Sequence, residues 1–249
     1  MTRGFLALCS LLLLGAPALI VGCASSGPKA YVDPVLEDDG IHSGAIAVLG
    51  VTALAGPDDR DTRFLYREAL SGGMAQARPD LRFVEGSEAW IALGDDEATA
   101  ILDAYRGTAR LGPNEIARLS VLSDRARFVL VGRIDLDLDG LDTDHRTRES
   151  LDRVVIDVDV RGRREMSATF DLFDLQTRRM VFSTQISRVE TEPGRSFEVD
   201  PLQQPPTNYD IDRAIREKLP TIQLPDPPGR LMVLRRMIQD AAEDLPGGS

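Results

Sequence analysis

Three aspartates at alternate positions, Asp135-x-Asp137-x-Asp139, stand before Gly140. That spacing imitates the first half of an EF-hand loop, where alternate carboxylates converge on calcium. The twelfth position of such a loop would be Arg146, where a bidentate Glu is required. The segment also follows a strand-like run instead of a helix. Period-two alternation accounts for it more simply: Leu136 and Leu138 face a core and the aspartates face water. Asp157 and Asp159 repeat the pattern on the next apolar run, with Arg133, Arg153 and Arg161 able to interleave between the acidic faces. Asp135, Asp137 and Asp139 are the candidate metal ligands, and no metal or other cofactor is expected. The constellations of nucleophilic and acid–base catalysis are missing. There is no GxSxG elbow, no HExxH, no phosphate-binding glycine loop and no GxGxxG. His42 and His145 both lie in polar stretches away from any such group. With 40 acidic residues, paired carboxylates are uninformative. The reading is of a protein that is not an enzyme. Arg178-Arg179 and Arg235-Arg236 could meet phosphates, but a net charge of −11 makes them balance neighbouring carboxylates. The same charge argues against a nucleic-acid partner.

The other reactive side chain is a thiol. Residues 1–22 carry one charge, Arg3, an apolar run over 5–14 and a Gly-Ala-Pro break, the plan of a signal peptide. The apolar run is too short for a comfortable membrane span. Leu19, Ile20, Val21 and Gly22, followed by Cys23, resemble a bacterial lipobox, in which the cysteine is acylated and becomes the first residue of the mature chain. The resemblance implies attachment to a membrane through palmitate-type acyl chains on Cys23, stable where a single chain would not be. Cys9 would leave with the signal, so no disulfide could form within the mature chain. Ala24 and Ser25 follow the cysteine. In lipoproteins of this kind an Asp there would argue for inner-membrane retention, so the expected location is the periplasmic face of the outer membrane.

The remaining chain, drawn from 249 residues in all, divides by composition. Residues 23–43 are small, polar and broken by Pro and Gly, a flexible tether. Residues 44–192 read as an α/β domain. The apolar run 45–54 predicts a buried central strand. A helix over 62–77 follows, capped by Asp61 or Thr62, with Phe64, Leu65, Ala69, Leu70 and Met74 on one face and Gly72-Gly73 weakening its middle. A short strand at 81–84 and helices at 95–106 and 113–126 come next. Trp90 suits core packing. Residues 128–132 predict a second buried strand, continuing to 139. A polar loop is expected at 140–152. Strands at 154–160, 166–174 and 179–189 complete an antiparallel meander, with turns at Gly162-Arg163 and at 175–178. Residues 193–229 hold more than half of the 15 prolines and read as a surface connection with a short helix at 210–218. Residues 230–249 form an amphipathic C-terminal helix with Leu231, Leu234, Ile238, Ala241 and Leu245 on one side. Asp240, Glu243 and Asp244 oppose its dipole, so its end should fray. The fold class is α/β: a mixed sheet with two buried strands, packed helices and an antiparallel meander.

Three segments carry a family resemblance. Ala45-Ile46-Ala47-Val48-Leu49-Gly50 is similar to an opening "IAVLPF" strand. Ala126 to Ile134 resembles "A-x-Y-V-L-x-G-x-I". Thr169 to Thr177, with Val181-Phe182-Ser183, is similar to "L-R-L-V-D-x-x-T-G" followed by "V-x-W-S". In this order they resemble periplasmic lipoproteins related to the curli-secretion channel subunit, the lipoprotein activators of penicillin-binding proteins, and the N-terminal domain of the Tol-system translocation protein. Gly50 stands where that family often has Pro, and Arg178 where its hairpin Gly is usual. The resemblance implies a non-enzymatic envelope protein that binds a protein partner in assembly or maintenance. It also implies an alternative, an oligomeric secretion-channel component; the oligomeric state stays open. A channel needs lipid-facing strands, and Asp157, Asp159, Arg161, Arg163, Arg164 and Glu165 do not make a continuous apolar band.

Overall fold

A computed structural model describes residues 30–36, 40–150, 153–200 and 207–247. Its strands are β1 (Tyr31–Val32), β2 (Ile46–Ala53), β3 (Phe83–Val84), β4 (Phe128–Ser150), β5 (Arg153–Asp174) and β6 (Arg179–Val199). Its α-helices are α1 (Arg60–Ala77), α2 (Gly86–Leu93), α3 (Asp95–Thr108), α4 (Pro113–Leu119), α5 (Asn208–Lys218) and α6 (Arg230–Asp244). The strands form one sheet in the order β1-β6-β5-β4-β2-β3. β2 runs parallel to β3 and β4, and the other neighbours are antiparallel. The fold is therefore mixed α/β, as the sequence predicts.

β2 is buried at every residue because helices cover both faces of the sheet there. Ile46 and Val48 face α1 and α6, while Ala47 and Leu49 face the layer of α2, α3 and α4. The register against β4 then shifts between Val48 and Gly50, leaving Leu49 as an extra residue. This bulge returns Val51 and Ala53 to the α1/α6 side. Gly50 meets the bulge with φ +134°, a conformation that side chains oppose. The indole N–H of Trp90 donates to the Leu49 carbonyl at 2.7 Å, which ties the partly buried ring to the bulge.

Helix α1 starts two residues earlier than the pattern suggests. Asp59 caps it, accepting from the backbone N–H groups of Asp61 and Thr62. Tyr66, Ala69, Leu70 and Met74 face the core, but Phe64 and Leu65 are half-exposed. Arg63 and Arg67 take the inward positions instead, Arg67 with its guanidinium 4.9 Å from the Trp90 ring and 5.0 Å from the Phe64 ring. Gly73 marks the close approach of α6, since a Cβ there would lie 2.8 Å from Ile238. Helix α6 buries Val233, Leu234, Met237, Ile238, Ala241 and Ala242. Its C-terminus is held where fraying is expected. Arg78 donates to the carbonyls of Leu245 and Pro246 at 2.9 and 3.0 Å, and Asp240 pairs with Arg188 at 2.6 Å. A guanidinium on the last carbonyls offsets the acidic residues.

The largest departure is in the meander. Residues 140–152, expected as a loop, belong to one long β4–β5 hairpin wherever they are described, paired in continuous register out to Ser150 and Arg153. Gly162-Arg163 is no turn: it lies inside β5, paired with Leu141 and Gly140 on β4. β4, β5 and β6 thus run on past the helical body as a three-stranded blade. The reason the pattern hid this is local. Positions 142–149 of β4 are polar on both faces, so no hydrophobic alternation marks them. The apolar side of the blade comes from β5 and β6, where Ile156, Val158, Val160 and Val199 pack on Ile211, Ala214 and Ile215 of α5. Gly162 is the crossing point of the chain's return. A Cβ there would lie 2.0 Å from the Asp226 carbonyl.

Part of the segment expected as a tether is docked on the domain where it is described. Leu36 and Ile41 are buried in the α1/α6 core, and β1 pairs Tyr31 with Ser183 and Val32 with Phe182 on β6. Apolar residues spaced among Pro and Gly suffice to dock an otherwise loop-like segment.

Gly162→Ala is expected to lift the 226–228 segment off the blade and expose it to limited proteolysis. Gly140→Ala, which meets nothing within 4 Å, should leave the digestion pattern unchanged. Equal patterns for both variants would contradict the crossing.

Candidate functional site

The three aspartates of the calcium-like motif do not converge. The β4–β5 register shifts between Ile134 and Leu136, leaving Asp135 as an extra residue. Before it, even-numbered residues of β4 face α1 and α6; after it, odd-numbered ones do. The expectation that all three carboxylates face water therefore fails. Asp135 points to the α3 side, accepting from Arg133 at 2.6 Å and from the Thr169 hydroxyl at 2.7 Å. Asp137 points to the α6 side with its side chain 1% exposed. There it accepts from Arg164 at 2.6 Å and from Arg230. Asp139 is exposed. Leu138, expected in the core, is half-exposed. Among the described residues no group of three His, Cys, Asp or Glu side chains could hold a metal ion. Arg164 also donates to the Pro228 carbonyl at 2.6 Å. Asp137 is thus the pin that joins the blade, the returning chain and the first turn of α6. Cys23 and the residues before it, Leu19, Ile20, Val21 and Gly22, lie outside the described residues.

The blade has two unlike faces. One is covered by α5 and the 226–228 segment. The other carries Asp157, Asp159, Arg161, Arg163 and Glu165 on β5, arranged with pairs such as Arg148 with Asp157 at 3.2 Å and Arg163 with Glu165 at 2.6 Å. The outer edge of β4 is also free: β2 pairs with β4 only as far as Ile134 among the described residues. An unpaired edge of that length offers a row of backbone donors and acceptors, with charged side chains guarding it.

A second feature was not legible beforehand. A cavity of about 610 Å³ lies between the α3–α4 connection and strands β5 and β6. Leu111, Ile116, Phe173 and Met180 supply apolar walls, and Arg110, Arg178 and Arg179 also line it. Asp171, 2% exposed, is its buried polar group. The Tyr105 hydroxyl donates to Asp171 Oδ2 at 2.8 Å. Oδ1 has no hydrogen-bond partner among the described residues. An unmatched buried polar atom costs about 1–3 kcal/mol. Burial pushes the Asp171 carboxyl above its ordinary value, against the nearby Ser183 and Tyr105 hydroxyls and the Arg133 charge, with Asp135 adding to the rise. Burial and the neighbouring carboxylate also push the Tyr105 hydroxyl up. Asp171 sits among apolar strand residues, so only its burial, not its spacing, distinguishes it.

The chain matches no family model and no curated protein. Among solved structures it is similar to the PelC dodecamer of Paraburkholderia phytofirmans, at 14% identity over 89% of this chain and 97% of that one, TM-score 0.39. It is similar to lipoprotein GNA1162 of Neisseria meningitidis, at 11% identity over 72% and 99%, TM-score 0.29. It is also similar to the C-terminal domain of LpoB from Salmonella enterica, at 10% identity over 62% and 88%, TM-score 0.32.

Asp137→Ala should destabilise the protein by about 3 kcal/mol in urea unfolding, because it leaves two guanidinium groups without their buried counter-charge. Asp139→Ala should change stability by less than about 0.5 kcal/mol. A second expectation concerns pH. The folded chain holds the Asp171 proton more tightly than the unfolded chain, so this group lowers stability as pH rises from about 4 through its raised value. Asp171→Asn, neutral at every pH, should gain more in urea midpoint over the parent at pH 8 than at pH 4. A gain that is the same at both would refute the assignment.

Proposed function

We propose that the protein is a lipid-anchored lipoprotein of the periplasmic face of the outer membrane, non-enzymatic, whose α/β domain binds an envelope protein in assembly or maintenance. Cys23 and the lipobox-like residues before it support the anchor. Among the described residues no helix is long and apolar enough to cross a membrane. The observation that carries the binding role is the blade. It extends beyond the hydrophobic body, is covered on one face by its own chain, and leaves the other face and the β4 edge open. Such an edge accepts a strand from a partner, with backbone hydrogen bonds giving affinity and the charged pattern giving selectivity.

A second reading, an oligomeric secretion-channel component, is favoured by the length of the hairpins: β4 and β5 hold 23 and 22 residues, more than a membrane strand needs. The alternating charges on the open face count against a lipid-facing band.

Three measurements test the proposal. Cys23→Ser should move the protein from the membrane fraction to the soluble fraction; unchanged membrane fractionation would remove the anchor. A photo-crosslinking residue at Thr143 on the blade should yield a defined adduct in the native envelope, and one at Gln76 on α1 should not. Adducts from Gln76 alone would refute the blade as the docking surface, and a stable ring in detergent would favour the channel reading.

A further inference from the structure

The cavity beside Asp171 is not used by the proposed function, and four observations converge on it. Its volume of about 610 Å³ lies within the range of small-molecule sites. Its walls are largely apolar, with Thr169, Ser183 and the buried Asp171 as polar groups among them. At its rim, Arg110 and Arg178 are exposed and make no ion pair among the described residues. Arg179 beside them pairs with Asp33 at 3.1 Å. Two guanidinium groups without an ion pair thus stand at one opening. Finally, the two non-glycine residues with positive φ among those described are Ala109 at 52° and Arg178 at 56°, and both line this cavity. Left-handed side-chain residues are strained, and strain persists where surrounding structure and function hold it. At 178 a glycine would relieve the backbone but remove the cation.

We propose that this cavity binds a small amphipathic anion. Its aryl or acyl body would lie against Leu111, Ile116, Phe173 and Met180. A carboxylate or phosphate would meet Arg110 and Arg178. The charge at the rim selects the anion, since guanidinium groups recognise carboxylate and phosphate by paired hydrogen bonds. A soluble acylated acid and a single-chain phospholipid share this chemistry.

The test uses the full chain in maltoside micelles. Isothermal titration with hippurate (an aryl group, an amide N–H and a carboxylate) probes the soluble source. Native mass spectrometry of the protein extracted from membranes probes retained lysophosphatidylglycerol. Saturable one-to-one occupancy by either probe is expected. Arg178→Gly should weaken it by about fivefold or more, the size of a lost charge contact. The same variant should have an unfolding midpoint no lower than the parent, because it relieves the left-handed strain. Ile116→Trp, which fills the cavity, should abolish occupancy. Hippurate binding alone identifies a soluble ligand, and lipid retention alone a membrane one. Occupancy that is equal in Arg178→Gly and the parent, or absent for both probes, overturns the proposal whether or not Ile116→Trp folds.

Discussion

The carboxylate of Asp137 lies buried between guanidinium groups from two distant parts of the chain, and the way the blade leaves the body depends on it. A lone carboxylate at that depth would be untenable; two cations and their hydrogen bonds make it acceptable. The geometry adds a second gain. Arg230 opens α6, where a cation opposes the helix dipole, and its pairing brings an anion to that terminus instead. Arg164 also holds the Pro228 carbonyl, so one carboxylate orients the strand, the helix and the returning chain together. Such a pin contributes less to net stability than to fixing one arrangement among several.

Two β-bulges make that arrangement possible. Leu49 in β2 and Asp135 in β4 each insert one residue and reverse which face the following side chains address. The first lets β2 keep apolar residues on the α6 side to its end. The second turns Asp137 inward and Leu138 outward as β4 leaves its pairing with β2. A strand buried on both sides and a strand exposed along one edge have incompatible patterns. The bulge is where β4 changes from one to the other. The charges on the exposed part then oppose indiscriminate strand pairing.

The body of the fold was legible because helices on both faces force continuous apolar runs, as in residues 46–53 and 128–132, and amphipathic spacing, as in α6. The blade was not. Its β4 half owes its strand to pairing with β5, not to any apolar face of its own, so residues 140–150 look like loop. Gly162 looked like turn punctuation, yet its missing side chain makes room for another stretch of backbone. The aspartate triad was legible as alternation, but a one-residue bulge cannot be seen in a spacing pattern, and that residue decides which carboxylate is buried. Arg178 was visible as a departure at a hairpin position. What it borders depended on the α3–α4 connection, which sequence periodicity does not place.

The chain's treatment of its buried carboxylates is uneven in a way that bears on the cavity. Asp58, Asp137 and Asp174 are each matched by arginine: Arg63 and Arg106, Arg164 and Arg230, and Arg127. Asp171 is matched by a tyrosine hydroxyl, and the nearest unpaired cations stand at the cavity rim instead of beside it. Packing alone does not require this. An apolar residue at 171 would fill a site among Tyr105 and Phe173 without the cost of a desolvated acid, and glycine would suit the backbone at 178. Both choices lower the stability of the empty protein, one by desolvation and one by strain. Costs of that kind at adjoining positions are the expected mark of a surface shaped for something other than folding.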